Sequence, residues 1–333
     1  MVPSREISMI ITNTSDIPLS LAVWCVHDEY DYVNTPNYIS ATRLMKPLRQ
    51  LVLSPRVPEE DQTADVSDYI SSALGHSLHD SIEKAWVKGY ERNLKKLGYP
   101  DSAIKRVKIN PSTDELEPDT IPIYLEQRAT KKIVVRGVEY TIGGKFDMVA
   151  EGIVHDNKST TAYTWLYGGK DDDYQLQGSI YRWLNPDKIT EDFIRICFIF
   201  TDWQRVQAAS NPNYPQKRLE YKDIPLLSLE DTEQWIINKI TQIIKYQNAD
   251  QSVIPECTDD ELWRSAPKYK YYRDPAKTTG RSTKNFDDPV EAKKHILEQG
   301  GKGVIITIPG EVKRCGYCDA ASICEQRKRL FND

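Results

Sequence analysis

"GGKFDMVAEGIVHDNKSTT", residues 143–161, alternates apolar and polar positions yet carries Asp147, Asp156 and Lys158. The alternation predicts two strands, and Gly152 stands where a turn would reverse the chain between them. Period two sets Asp156 and Lys158 on one face of the second strand. With the right register, Asp147 reaches that face from the first strand. Two carboxylates a few ångströms apart repel, so the pair calls for a cation between them. Hard oxygen ligands suit Mg²⁺ or Mn²⁺. A lysine beside such an ion can orient or deprotonate an attacking water and offset charge on a phosphorane-like transition state. The bland alternative is a solvated hairpin, because Asp-x-Lys alone recurs by chance in most proteins.

Around the hairpin the chain reads as mixed α/β, with no repeat and no low-complexity tract. Residues 7–12 predict a short strand. Residues 38–53 predict a helix that starts near Ser40 or Thr42 and is kinked or shortened by Pro47. Residues 65–98 predict a long helix with Ile70, Leu74, Leu78, Ile82 and Trp86 as one buried stripe. The proline-bearing stretch 99–120 reads as a loop. Strands are expected over 121–127, 131–150 and 152–159, a helix over 171–185, and a buried strand over 192–203. An amphipathic helix follows over 228–247, with Ser228 as its N-cap. Beyond 250 the chain turns cysteine-bearing, basic and aromatic, with a strand–helix–strand unit ahead of the last stretch. Two regions are therefore expected, 1–250 and 251–333.

With 333 residues, 39% hydrophobic and 28% charged, the composition is that of a globular protein able to bury a sizeable core. No apolar run approaches the roughly 18 residues of a membrane helix, so no membrane partner is expected. The start, "MVPSREISMIITNTSD", lacks the pattern of a signal peptide. The expectation is a cytoplasmic protein whose reduced thiols bind metal more often than they pair. A formal net charge of −5 argues against wholesale coating of nucleic acid but leaves room for a local basic groove.

Cys315-Gly-Tyr-Cys318 and Cys324 put three thiols close together, which points to a soft-metal site. Zn²⁺ and iron–sulfur clusters both use C-x2-C. A [4Fe–4S] cluster needs a fourth thiolate. Cys25 and Cys197 lie in apolar stretches that read as core, whereas Cys257 opens the polar C-terminal region and is preferred. Between Arg264 and Lys284 basic residues interleave with Tyr269, Tyr271 and Tyr272. Lys268, Lys270, Arg273 and Tyr271 are expected to track phosphates and stack on bases of DNA. Of equal weight is a strand whose tyrosines pack inward while its lysines face water.

In their order along the chain these motifs resemble the RecB-type branch of the PD-(D/E)XK nucleases. Gly75-His-Ser-Leu-His79 matches that branch's G-x-x-x-H helix, and Asp147 with Asp156-Asn-Lys158 matches its D…(D/E)-x-K strand pair. Gln177-Gly-Ser-Ile-Tyr181 matches Q-x-x-x-Y, and Cys315, Cys318 and Cys324 match the C-x2-C-x5-C of iron–sulfur members. "GGKFDMV", "DNKSTT", "DDYQLQGSIYRWL" and "CTDDELW" look like phage-encoded members. The resemblance covers roughly residues 40–326.

The resemblance implies a restriction-endonuclease-like central mixed sheet flanked by helices, with a small C-terminal cluster-bearing region. It implies His79, Asp147, Asp156 and the Asn157 carbonyl as metal ligands and Lys158 as the catalytic lysine. Gln177 and Tyr181 would brace the site or contact the scissile strand. The implied activity is a Mg²⁺- or Mn²⁺-dependent deoxyribonuclease, an exonuclease on linear DNA in phage recombination or repair. It would act in the host cytoplasm beside a single-strand annealing or recombination protein. A CRISPR-adaptation-type nuclease shares the four motifs, and a non-catalytic iron–sulfur DNA-binding scaffold is the alternative from another class.

His76 rivals His79, and Gln175 rivals Gln177. Lys46-Pro47 stands about where iron–sulfur members carry their first Cys-Pro, so a fourth sulfur from Cys257 departs from the pattern. Asp171 to Asp173 read as a solvated helix start favoured by the helix dipole. Glu83, one turn after His79, could support it, and Glu126 could reach the sheet face too, although it reads first as an exposed strand carboxylate.

Overall fold

The computed structural model describes residues 10–29, 32–167 and 170–332. The chain opens with β1 (Ile10–Thr12), α1 (Leu19–Cys25), β2 (Tyr38–Ser40), α2 (Ala41–Leu44) and α3 (Leu48–Leu53). There follow β3 (Thr63–Asp65), the long α4 (Ile70–Lys96), α5 (Asp101–Ile104) and β4 (Val107–Ile109). Three strands then run in succession, β5 (Ile121–Val135), β6 (Val138–Ala150) and β7 (Ile153–Thr160). Next come α6 (Ala162–Tyr167), α7 (Asp171–Leu184), β8 (Phe193–Phe200), α8 (Arg205–Ser210), β9 (Leu219–Pro225) and α9 (Leu229–Tyr246). The remainder holds β10 (Lys268–Tyr272), β11 (Lys284–Phe286), α10 (Pro289–Glu298), β12 (Val304–Ile308) and α11 (Glu325–Phe331). None of the described helices is long and apolar enough to cross a membrane.

Contacts divide the chain into two units, Met1–Lys46 with Glu59–Ile244, and Pro47–Pro58 with Lys245–Asp333. A single cut near 250 therefore misses one piece: the segment from Pro47 to Pro58 belongs with the C-terminal unit.

The first unit is mixed α/β, built on a seven-stranded mixed sheet in the order β4-β5-β6-β7-β8-β9, with β2 alongside β6. Glu151 and Gly152, both at positive φ (52° and 78°), close the β6–β7 hairpin in the backbone conformation that suits the strand twist. Ile194, Ile196, Phe198 and Phe200 alternate into the core from β8. Ile180 and Trp183 of α7 and Ile236 and Ile240 of α9 join the same cluster. Ile236 and Ile240 are wholly buried, each stabilising by about 1.5–3 kcal/mol. Gly178 lets α7 press against the sheet, since a Cβ there would stand 2.8 Å from Cβ of Ile194. A smaller cluster packs Trp86, Tyr90 and Leu94 of α4 on Val107, Ile123 and Leu125.

Several expectations are corrected. The first turns of α4 do not carry a buried stripe: Ile70 and Leu74 are exposed, Leu78, Ile82 and Trp86 are half-buried, and Ala73 is the helix's buried residue. The helix expected over 38–53, kinked or shortened by Pro47, is two short helices, α2 and α3, with Pro47 as the N-cap of α3, and its first residues pair instead as β2 with β6. The expected loop 99–120 contains α5 and β4, and β4 pairs in parallel with β5. The strand expected over 7–12 is described from Ile10 onward; residues 7–9 lie outside the described residues.

In the second unit β10 lies between β11 and β12, both antiparallel to it, with α10 packed on them. Tyr271 is 2% exposed, and its hydroxyl donates to the carbonyl oxygen of Lys302. Tyr272 is buried as well. Tyr271 therefore cannot stack on a base: its ring packs with Phe286 and Ala292 between the small sheet and α10.

Candidate functional site

The β6–β7 ladder runs through Ala150↔Ile153, Val149↔Val154 and Met148↔His155 and stops there. Continuing that register sets Asp147 beside Asp156. In place of a ladder bond, Asp147 Oδ2 accepts the backbone N–H of Asn157 at 2.9 Å. On the other side Leu125↔Met148 and Gln127↔Phe146 pair, and the rung between them, Glu126 with Asp147, is skipped. Glu126 has φ 50°, a left-handed conformation that is strained for a side chain of this kind. In-out alternation changes phase at this rung. Tyr124 and Ile133 pack in the same core, as do Phe146 and Val149, although each pair is an odd number of residues apart. Glu126 and Asp147 thus leave the pleat where β6 and β7 diverge.

His79 of α4 meets this break. Its Nε2 lies 3.1 Å from the Asn157 carbonyl oxygen, and its Nδ1 lies 3.4 Å from Asp147 Oδ1 and 3.9 Å from Glu126 Oε1. Asp147, then Glu126, hold the imidazolium proton and raise the His79 pKa to about 10. Among the described residues, His79, Glu126 and Asp147 form the one group of metal-ligating atoms that all lie within 4.8 Å of one another. His76, the rival, is exposed.

Asp156 is 2% exposed, and its Oδ2 lies 2.7 Å from Lys158 Nζ in an ion pair. Burial pushes its carboxyl pKa up; Lys158 opposes the rise and Asp147 adds to it. Burial disfavours the Lys158 charge, but Asp156 and Asp147 outweigh it and leave that pKa raised. Gln177 Nε2, buried on α7, donates to Asp156 Oδ1 at 3.3 Å and to the Tyr181 hydroxyl at 3.0 Å. Gln175 donates instead to the Pro225 carbonyl, away from the carboxylates. A buried carboxylate beside a histidine and further carboxylates is a donor set that fits a hard divalent cation.

Glu126 is thus no exposed strand carboxylate. Its side chain is 19% exposed and pairs with Lys145 Nζ at 2.7 Å. Neither Glu126 nor Lys145 stands out in the sequence, because no spacing motif joins them. The signal was the register: once Arg136-Gly137 closes the β5–β6 hairpin, Glu126 falls opposite Asp147.

In the second unit Cys257, Cys315, Cys318 and Cys324 line one cavity together with Arg49. No three of these sulfurs lie within 4.8 Å of one another, whereas a tetrahedral zinc ion would draw them to roughly 3.8 Å. Burial pushes the Cys257 thiol up to about 12 and raises Cys315 and Cys318 as well. Arg49 is 3% exposed. Its guanidinium donates to Cys324 Sγ (3.4 Å), to the carbonyls of Gln251 and Ile254, and to the Gln251 side chain. None of these acceptors is a carboxylate. Cys25 and Cys197 lie apart in the first unit, on α1 and β8. Of the other residues expected to contact DNA, Lys268 and Arg273 are exposed and Lys270 is half-buried on β10.

No family model matches the chain, and no curated protein matches it. Three solved chains match. One, described as the crystal structure of SSO0001, is 18% identical with a TM-score of 0.42, over 70% of this chain and 87% of its own. A likeness that slight bears neither on the activity nor on the finer class of the fold.

Proposed function

We propose that this chain is a metal-dependent deoxyribonuclease of the RecB-type PD-(D/E)XK class, with a restriction-endonuclease-like core and a C-terminal [4Fe–4S] region. The observation that carries the reading is the meeting of His79 from α4, Asp147 from β6, and Asp156, the Asn157 carbonyl and Lys158 from β7 at one break in the sheet. Glu126 adds a further carboxylate.

In this reading His79, Asp147, Asp156 and the Asn157 carbonyl hold Mg²⁺ or Mn²⁺, with Glu126 beside them. The ion supplies charge stabilisation to a phosphodiester under attack by water. Gln177 fixes the Asp156 carboxylate from behind, and Tyr181 fixes Gln177 in turn. Lys158, paired with Asp156 at 2.7 Å, presents a cation to phosphate oxygens or orients the attacking water. The four cysteines of the second unit would carry the cluster, and Arg49 would offset part of its negative charge. The wider spacing of the sulfurs favours that over zinc.

Digestion of linear DNA from an end, in phage recombination or repair, is the mode proposed. The test is the purified protein with end-labelled linear and covalently closed circular DNA in Mg²⁺ or Mn²⁺. Loss of the linear substrate alone is the expected result. Equal cutting of both would replace the exonuclease by an endonuclease, and no cutting of either would leave the scaffold reading.

A further inference from the structure

With Tyr271 and Tyr272 buried, the exposed aromatic rings of the second unit, among the described residues, are Trp263, Tyr317 and Phe331. Trp263 and Tyr317 lie together, ring centroids 6.3 Å apart and planes at 53°. The Arg314 guanidinium stands over the Trp263 ring, 4.7 Å from its centroid. Tyr317 is 79% exposed.

The backbone beneath the rings is tightly held. Leu262 and Trp263 end a helical turn, with their N–H groups donating to Thr258 and Asp260. Trp263 has φ 50°, at a turn-end position that ordinarily goes to glycine. The Leu262 carbonyl accepts the N–H groups of both Lys313 and Arg314, and Ser265 and Glu311 exchange hydrogen bonds. Gly310 admits the Ser265 carbonyl so closely that no Cβ would fit. A strained turn-end residue whose indole stays 41% exposed is a place to look for function.

Acids and bases both flank the rings: Asp259, Asp260, Glu261 and Glu311 against Arg264, Lys313 and Arg314. Asp259 is taken by Arg264 at 2.7 Å, and the Glu261 carboxylate accepts the Thr258 N–H. Arg314 and Lys313 stand three and four residues before Tyr317 in the chain.

We infer that Trp263, Tyr317 and Arg314 form a stacking platform for unpaired bases of single-stranded DNA, with Lys313 and Arg314 meeting its phosphates. Aromatic faces take any base, and an arginine on one of them adds cation–π and phosphate contact. The inference deepens the nuclease reading and rests on it for the choice of DNA as occupant.

The test uses the full chain in a Lys158→Ala background, so that no substrate is consumed. Fluorescence anisotropy reads binding of a labelled oligothymidine and of a blunt duplex. Tyr317→Ala and Trp263→Ala are each expected to weaken oligothymidine binding about fivefold or more, with the duplex changed less than about twofold. Tyr317→Phe and Trp263→Phe should retain most of the affinity. Because Tyr317 is exposed, its variant reports on stacking even if Trp263→Ala misfolds. Oligothymidine affinity indifferent to Tyr317→Ala, or no affinity in the parent, overturns the platform. Cleavage by the chain with Lys158 intact is scored separately. Cleavage with ring-independent binding sinks the platform alone, and ring-dependent binding without cleavage sinks the nuclease reading alone.

Discussion

His79 Nε2 stands 3.1 Å from the carbonyl oxygen of Asn157, joining the long helix α4 to strand β7 across 78 residues of sequence. The contact places the imidazole at the one rung where the sheet has released its carboxylates. His79→Ala should therefore weaken Mn²⁺ binding roughly tenfold or more, with activity partly restored by high Mn²⁺. His76→Ala should leave both unchanged. Calorimetric titration of both variants checks this, and the reverse pattern would show that the helix presents a different histidine.

Proton release should accompany metal binding. With Asp147 and Glu126 raising the His79 pKa to about 10, the metal-free imidazole is protonated at neutral pH and must lose that proton to become a ligand. Affinity should rise with pH, by about tenfold per unit below that value. Titrations in two buffers of different ionisation enthalpy should report about one proton released. Affinity that is flat between pH 6.5 and 8.5 would remove His79 from the ligand set.

Asp147→Ala, Asp156→Ala and Lys158→Ala should each cut cleavage by at least about 10²–10³-fold. The metal-free Asp156 variant should not lose stability in proportion, because the native carboxylate is already disfavoured by burial. Thermal melts with and without Mg²⁺ separate the two effects. Stabilisation by Mg²⁺ should appear in the parent and vanish in Asp156→Ala.

Anaerobically purified protein should be brown, with about four irons per chain. Cys257→Ser, Cys315→Ser, Cys318→Ser and Cys324→Ser should lose the colour, whereas Cys25→Ser and Cys197→Ser should keep it. Arg49→Met should lower iron occupancy without removing a ligand, since it leaves thiolate charge buried without a cation. One zinc per chain and no colour would refute the cluster and leave the nuclease untouched.

Gly178→Ala should destabilise by about 1–3 kcal/mol, because the new Cβ would meet Ile194 and Leu226 in a filled core. A melting temperature equal to the parent's would show that α7 can lift from the sheet. Retained activity in a destabilised protein would show that Gln177 still reaches Asp156.

How much of this was legible beforehand depends on how local each feature is. The hairpin around Gly152, the helix bearing Gln177 and Tyr181, and the alternation of β8 are set by neighbours a few residues apart, so periodicity and turn chemistry carry them. The buried stripe expected on α4 fails for the opposite reason. Ile70 and Leu74 repeat at the right interval, but whether a helix face is covered depends on partners from elsewhere in the chain. The alternation of Tyr269 to Tyr272 with basic residues was equally compatible with stacking on DNA and with packing in a sheet, and the pairing of β10 on both edges decided for packing.

By itself the sequence determined the chemistry available: a histidine, carboxylates and a lysine in a set order, cysteines at soft-metal spacing, and strands that turn where glycine permits positive φ. The tertiary structure alone decided which of these meet. Glu126 entered the metal-binding group because β5 lies in register with β6 and the alternation slips at their shared rung. Cys257 lines the cavity of Cys315, Cys318 and Cys324 while Cys25 and Cys197 do not. The division between the two kinds of information is physical. Propensity and spacing act over one turn or one strand, whereas burial, ion pairing and ligand convergence are properties of chain segments brought together only when the core closes.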